Sequence, residues 1–125
     1  MSWMDGVCVG FDLETTGVDP KNDRIVTACL VGFEGAGELG SREWLADPGC
    51  EIPEAATRVH GITTARAREQ GRPIAEVLGE VLEGIRRVNA VDGVIIGHNV
   101  SYDFTSLHHE LLRHGFGPVL LGEDA

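Results

Sequence analysis

The alternation of apolar and polar positions predicts strands in the first part of the chain and helices after it. Apolar, β-branched runs indicate a first strand over Val7–Leu13, a second over Arg24–Phe33 and a weaker, more polar third over Leu39–Leu45. Turn-rich polar residues join the first two strands, and Glu34–Gly37 makes a short loop between the second and third. The pattern therefore predicts a three-strand antiparallel meander with the third strand at an edge.

Helical periodicity begins beyond this meander. A short helix is predicted after Pro53, and a second one is predicted from Thr63 or Thr64 to Gly71. Pro73 then opens a longer helix whose apolar residues recur every three or four positions, so that one face is buried.

One further strand and one further helix complete the predicted elements. The apolar run Val91–Gly97 predicts a short strand in a parallel, two-sided position. A helix follows over about Tyr102–His114, with Gly115 as its C-cap. This order predicts an α/β fold, in which a mixed sheet of a meander plus a parallel strand is flanked by helices. The 125 residues suit a single domain over 1–125.

The composition argues against several classes of protein. The chain carries 20 acidic and 10 basic residues and a net charge of −10, which argues against a protein that binds nucleic acid tightly through charge alone. Three widely spaced cysteines (Cys8, Cys29 and Cys50) argue against a disulfide framework. The sequence shows no apolar run of the ~18 residues that span a membrane and no signal-peptide pattern. We therefore expect a cytoplasmic protein without a membrane partner.

Two carboxylates at the end of the first strand are the most informative residues. Asp12 and Glu14 are two positions apart, so both project from the same face of a strand. Like charges at this separation raise the free energy unless a positive group joins them, and a divalent cation is the simplest candidate. A solvated acidic pair at the start of a loop is the alternative reading. The turn that follows, Thr15–Gly17, leaves the pair at the exposed end of the strand.

A third carboxylate follows the last predicted strand. His98 and Asn99 lie at the carboxyl edge of the sheet, and Asp103 falls in the first turn of the next helix. Asp103 either converges on Asp12 and Glu14 or only complements the helix dipole. Asn99 either binds substrate or caps the helix.

Together these residues resemble the DEDDh (DnaQ-like) 3′–5′ exonucleases, which include the proofreading epsilon subunit of bacterial DNA polymerase III. Phe11–Gly17 resembles the first motif, and Ile52–Ala55 with Val59–Thr63 resembles the linking segment of this branch. Gly97–Asn99 with Asp103-Phe104 is similar to the second motif. The resemblance implies a ribonuclease H-like sheet and covers residues 7 to about 114.

The resemblance also implies a mechanism. Family members hydrolyse phosphodiester bonds from the 3′ end of DNA or RNA with two divalent cations, Mg²⁺ or Mn²⁺. By this likeness Asp12, Glu14 and Asp103 are the catalytic, metal-binding residues. Residues for the terminal nucleotide are implied as well: Thr15, Thr16, Gly17, His60 and Asn99. A DNA polymerase subunit is an implied partner, in replication or repair.

The family's third motif, a His followed by an Asp, has no counterpart. His108, His109 and His114 lie too close to Asp103, and Asp124 has no His at the right distance before it. We expect a domain truncated after the second motif rather than a degenerate one, because the retained motifs look intact. Weak metal binding and low or no catalysis would follow.

Two further expectations follow from the missing part. Without the strand and helices that follow in the family, Val91–Gly97 would have an open apolar edge, which predicts a homodimer. A non-catalytic module that keeps the fold and binds metal, nucleic acid or a protein is the alternative function. A ribonuclease H is disfavoured, because such sheets lack the linking segment at Val59–Thr63. The sequence leaves the choice between DNA and RNA open.

Overall fold

A mixed sheet of five strands lies at the centre of the described part of the protein. The computed structural model describes residues 6–35 and 37–116. Its strands are β1 (Val7–Thr15), β2 (Ile25–Glu34), β3 (Gly37–Asp47), β4 (Arg72–Pro73) and β5 (Val94–Ile96). The order across the sheet is β4-β3-β2-β1-β5; β1, β2 and β3 form an antiparallel meander, and β5 runs parallel to β1. The predicted meander and parallel strand are confirmed.

Within the described residues, four helices accompany the sheet: α1 (Glu54–His60), α2 (Thr64–Gln70), α3 (Ile74–Ala90) and α4 (Val100–Arg113). The apolar faces of α3 and α4 pack with one face of β1, β2 and β3 in the main core. Its fully buried members include Phe11, Leu78, Leu107 and Leu111. A smaller cluster joins Val26 to α2 and its neighbours on the chain. The described part of the chain contains no helix long and apolar enough to cross a membrane.

The predicted four-stranded sheet is wrong by one strand. Residues Arg72 and Pro73 pair with Ala46 and Asp47 of β3 in a two-residue parallel strand that precedes α3. Gly71 permits this pairing, because a Cβ there would lie 2.7 Å from the carbonyl carbon of Ala46. Two residues are too few to produce a periodic sequence signal, which is why the strand was missed.

Two positions were expected for the last strand, a two-sided one and an open apolar edge, and the described residues show the open edge. β5 lies at the end of the described sheet with β1 as its neighbour, and Val94 and Ile96 are 38% and 47% exposed. The strand is apolar on both faces, yet over residues 6–35 and 37–116 it is an exposed edge.

Strand β1 ends two residues later than predicted, so that Glu14 and Thr15 belong to the strand. Asp124 lies outside the described residues.

Candidate active site at the end of β1

Asp12 and Glu14 project from the face of β1 opposite to the core. Along β1 the residues Phe11 and Leu13 are buried, whereas Asp12 is exposed and Glu14 is half-buried. Asp12 lines a cavity of about 520 Å³ together with His98 and Gly97. The predicted common face of the two carboxylates is therefore present.

Helix α4 brings Asp103 to the same end of β1. Asp103 is only 4% exposed, and its carboxylate accepts a hydrogen bond from the backbone of Leu13. Burial, and next the negative charge of Asp12, raise the pKa of Asp103 from 3.8 to about 6; Glu14 adds to the rise, and the Leu13 hydrogen bond opposes it.

Gly97 makes the close approach of the three chain segments possible. A Cβ at this position would lie 2.7 Å from the carbonyl oxygen of Phe11 and 3.8 Å from a carboxylate oxygen of Asp103. A larger residue would push the end of β5 away from β1, and the start of α4 would move with it. The glycine of the second motif thus helps to set the distance between Asp103 and β1.

The three carboxylates have no ion-pair partner in the part of the chain that the structure describes, although His98 partly opposes the rise in the pKa of Asp103. None of the ion pairs among residues 6–35 and 37–116 includes Asp12, Glu14 or Asp103. Within the same residues, no three His, Cys, Asp or Glu side chains already lie together as a ready-made metal site. The acidic groups are neighbours whose charges repel, which is the donor chemistry that a hard cation suits.

A cavity of about 730 Å³ adjoins the carboxylates on the Glu14 side. This volume is in the range of sites for small organic ligands. All five residues predicted to bind substrate line the cavity, as do Glu14 and several apolar residues. The lining comprises Leu13, Glu14, Thr15, Thr16, Gly17, Val18, Ala55, Ala56, Val59, His60, Asn99 and Tyr102.

The turn after β1 is held from both sides by hydrogen bonds. The Thr15 hydroxyl donates to the Gly17 carbonyl at 2.6 Å, and the Tyr102 hydroxyl donates to the same oxygen at 2.8 Å. Tyr102 also lies 3.2 Å from the Thr15 hydroxyl. Tyr102 was not predicted as a site residue, since a helical aromatic residue is usually a packing residue. Its place immediately before Asp103 was the available signal.

Thr16 is fixed by the loop that leads to β2. Its hydroxyl donates to Asp23 Oδ1 at 3.0 Å and accepts from the Arg24 backbone N–H at 3.0 Å, while its own N–H donates to the Arg24 carbonyl at 2.9 Å. Thr16 is 5% exposed. The turn therefore keeps a defined shape without a ligand.

His60 has one ring nitrogen in use and one free. Its Nδ1 accepts the Ile62 backbone N–H at 3.1 Å, as expected for a structural loop histidine. In the neutral ring the proton must then reside on Nε2. That atom is buried in the cavity wall and makes no hydrogen bond with any described residue. His60 thus combines a structural role with a buried ring nitrogen that has no hydrogen-bond partner among the described residues.

Asn99 occupies the N-cap position of α4 without capping it. Its side chain makes no capping hydrogen bond, and the residue lines the cavity. Its backbone carbonyl accepts the Asp103 N–H at 3.1 Å. The amide group is therefore exposed and available at the cavity rim.

The fold is that of an exonuclease domain. The family model of the exonucleases named RNase_T matches residues 9–123, and the chain belongs to this family. The epsilon subunit of DNA polymerase III from Aquifex aeolicus is 36% identical over 101 residues, which are 80% of this chain and 46% of that protein. The PolC-type DNA polymerase III of Thermotoga maritima is 33% identical over 103 residues, 82% of this chain and 7% of that protein.

Solved structures give the same fold. Exonuclease I from Methylocaldum szegediense superposes with a TM-score of 0.74 at 24% identity, over 86% of this chain and 24% of that one. Escherichia coli exonuclease I, in complex with a dT13 oligonucleotide, gives 0.75 at 22% identity over 91% and 25%. The chain thus spans less than half of the length of these relatives, and the predicted ribonuclease H-like fold is confirmed.

Proposed function

We propose that this chain carries the site of a metal-dependent 3′–5′ exonuclease, which hydrolyses phosphodiester bonds at the 3′ end of DNA or RNA. The proposal is supported above all by the 730 Å³ cavity, whose lining includes every residue predicted to contact the terminal nucleotide, together with Glu14. Asp103, buried and under the negative field of Asp12 and Glu14, supports the same reading.

We propose further that Asp12, Glu14 and Asp103 hold two divalent cations, Mg²⁺ or Mn²⁺. A set of carboxylate oxygens suits these ions, and binding would relieve the repulsion that raises the pKa of Asp103. Such a cation pair supplies charge stabilisation and an activated water at the scissile phosphate. By family resemblance Asp12 contacts both ions, Glu14 serves the side of the attacking water, and Asp103 serves the side of the leaving oxygen.

The residues of the cavity would bind and orient the 3′-terminal nucleotide. The His60 Nε2–H is a donor for a phosphate or sugar oxygen, and the Asn99 amide offers both a donor and an acceptor. Val18 and Val59, 91% and 80% exposed, provide apolar surface beside the turn for a base or sugar. The hydrogen-bonded Thr15–Gly17 turn lines the same cavity beside Glu14 and would need little reorganisation on binding.

The proposed partners and location are supported by the relatives. Both sequence relatives described above are components of DNA polymerase III. We propose that the substrate is the 3′ end of a DNA or RNA strand, that a DNA polymerase subunit is the protein partner, and that the protein acts in the cytoplasm. The domain would comprise residues 1–125.

Binding to a 3′ end is the first test. A 5′-labelled single-stranded oligonucleotide is titrated with the protein in Ca²⁺ and in EDTA. We expect Ca²⁺ to strengthen binding, and we expect Asp12→Asn and Glu14→Gln to remove this gain. Glu38→Gln on β3 is the matched control, because Glu38 is exposed and distant from the cavity. Binding that is equal with and without the cation would contradict the proposal.

Hydrolysis separates the enzyme from the alternative module. With Mn²⁺ or Mg²⁺ we expect a ladder that shortens by one nucleotide from the 3′ end and is absent in Asp12→Asn. Turnover by these 125 residues should be slow, because they hold no counterpart of the third-motif His, which by family resemblance is the general base, a role that contributes about 10²–10⁴-fold to the rate. Cation-dependent binding without any ladder would favour the non-catalytic module.

Self-association through β5 remains a prediction. Val94 and Ile96 leave an apolar edge strand exposed in the described sheet, and such an edge can pair with a second copy. Sedimentation equilibrium of the chain beside Ile96→Lys tests this: the expected dimer should dissociate in the variant. A monomer at all concentrations would rule the dimer out.

A further inference from the structure

One helix holds the loop after β1 at two places. Near its start, Tyr102 of α4 binds the Gly17 carbonyl. At its last residue, Arg113 reaches the far side of the same loop: Nη1 donates to the Lys21 carbonyl at 2.8 Å, and Nη2 donates to the Asp23 carbonyl at 3.2 Å. The helix that carries Asp103 therefore spans both ends of the loop.

Glu110 holds the Arg113 guanidinium in place through a hydrogen bond. Glu110 is fully buried, and its Oε1 accepts from Arg113 Nη2 at 2.9 Å and from the Ile25 backbone N–H at 3.4 Å. Its Oε2 lies 3.1 Å from His114 Nε2. A planar guanidinium with a buried carboxylate on one side and two carbonyls on the other has little freedom to move.

Asp23 connects this part of the loop to the Thr15–Gly17 turn through a hydrogen bond with Thr16. Asp23, whose carbonyl Arg113 binds, accepts the Thr16 hydroxyl through Oδ1 and the Asp19 N–H through Oδ2, at 3.0 and 2.7 Å. The Asp23 carboxylate also occupies the space where a Cβ of Gly17 would lie. Movement of the Asp23 backbone would therefore move Thr16 and Gly17, which line the substrate cavity.

We propose that Arg113 is a positioning residue: held by Glu110, it fixes the loop around Asp23 and so sets the Thr16–Gly17 turn for the 3′-terminal nucleotide. The inference rests on the proposed function for its link to substrate, but the positioning of the turn is a property of the protein alone. Arg113 does not line the cavity and is not itself a binding residue.

Arg113→Lys is the sharpest variant. Lysine keeps the positive charge beside buried Glu110, so the helix is not left with an unpaired buried carboxylate. A single ammonium cannot serve Glu110 and two carbonyls in the fixed fork that the guanidinium provides. Arg87→Lys on α3 is the matched control, since Arg87 pairs with Glu83 on the exposed surface.

Amide hydrogen exchange of the free 125-residue chain measures how readily the turn opens. The Thr16 N–H is bonded to the Arg24 carbonyl, and its exchange reports local opening of the turn. We expect Arg113→Lys to raise the Thr16 exchange rate about tenfold while the Leu78 amide in α3 stays unchanged. Arg87→Lys should leave both amides unchanged. Equal Thr16 exchange in Arg113→Lys and in the control would overturn the proposal.

Substrate binding gives the second readout. In Ca²⁺, we expect Arg113→Lys to weaken binding of the 5′-labelled oligonucleotide about tenfold, which is ~1.4 kcal/mol, while the dependence on Ca²⁺ concentration stays as in the wild type. Unchanged affinity despite a looser turn would refute the link to substrate. If the wild type binds no oligonucleotide, the proposed function fails, and the exchange rates still decide the positioning.

A second variant, without charge at positions 110 and 113, keeps the test decisive if Arg113→Lys does not fold. Should Arg113→Lys unfold the protein, the double variant Glu110→Gln with Arg113→Met removes the buried charge and keeps similar volume. Methionine donates no hydrogen bond to Lys21 or Asp23, so the Thr16 amide should again exchange about tenfold faster. A protected Thr16 amide in this folded double variant would contradict the positioning role.

Discussion

The two halves of the candidate site differ in how well the chain satisfies its own polar groups. In the turn, the Thr16 hydroxyl and the Gly17 carbonyl have short hydrogen bonds to Asp23, Thr15 and Tyr102. In the acidic half, Asp103 is buried under the negative field of Asp12 and Glu14, and its pKa is raised. The difference shows that the described residues satisfy the polar groups of the turn, whereas the acidic half keeps a buried carboxylate whose pKa is raised by burial and by its acidic neighbours.

The largest effect is expected from Asp103→Asn. The folded pKa of Asp103 is about 6 against 3.8, so the folded state holds this proton more tightly than the unfolded chain does. The contribution of the protonated Asp103 carboxyl to the free energy of unfolding is therefore present at low pH and is lost as the pH rises from about 4 through 6. Asparagine keeps an oxygen for the Leu13 N–H and has no charge. We expect a gain of about 3 kcal/mol in the free energy of unfolding at pH 7.5 in EDTA.

Urea denaturation at two pH values measures this gain. The stabilisation by Asp103→Asn should be large at pH 7.5 and small at pH 4, because the wild-type carboxyl is protonated in the folded state at pH 4. Asp92→Asn is the control: Asp92 is exposed and has a positive φ of 55°, which asparagine also tolerates. An equal gain at both pH values would mean that burial and repulsion do not destabilise the acidic half.

The hydrogen-bonded half should respond in the opposite direction. Thr16→Val keeps the shape of the side chain but leaves the Arg24 N–H and the Asp23 carboxylate without the Thr16 hydroxyl. A buried group left without its partner costs about 1–3 kcal/mol, so we expect a loss near 2 kcal/mol, measured by urea denaturation at pH 7.5.

Thr27→Val provides the comparison for this loss. Thr27 is half-buried in β2, and its hydroxyl makes no hydrogen bond with the described residues. The same substitution there should change stability by less than about 0.5 kcal/mol. Similar losses at both positions would show that the loss at Thr16 reflects the change of side chain and not the hydrogen bonds of the turn.

The two halves also differ in how far the sequence predicted them. Asp12 and Glu14 were predicted on one face because side chains alternate strictly along a strand. Asp103 was predicted near them from the order of the motifs, and its pKa responds to both charges. The tertiary bonds of the turn were not predictable, because Tyr102 is 85 residues from Gly17 along the chain. Propensity and periodicity describe local structure, and they carry no information on which distant side chain completes a turn.

The same limit explains the errors in the sheet. The meander and the long helix have repeated apolar positions, and both were predicted within two or three residues. β4 was missed because its two residues pair only where Gly71 lets the chain approach β3. For β5 the sequence left a two-sided position and an open edge as alternatives, because an apolar run indicates a strand but not the presence of neighbours on both sides.

The smallest expected effect tests the junction between the halves. Tyr102 precedes Asp103 on α4, and its hydroxyl binds the Gly17 carbonyl. Tyr102→Phe keeps the ring and removes this bond, so we expect a loss of about 1 kcal/mol by urea denaturation. Thr105→Val is the control, because it removes a hydroxyl bond to the Ser101 carbonyl on the same helix, outside the turn and exposed. If the two variants lose the same stability, and the Thr16 amide exchanges no faster in Tyr102→Phe, then α4 does not hold the turn through Tyr102, and Arg113 is left as the contact that orients it.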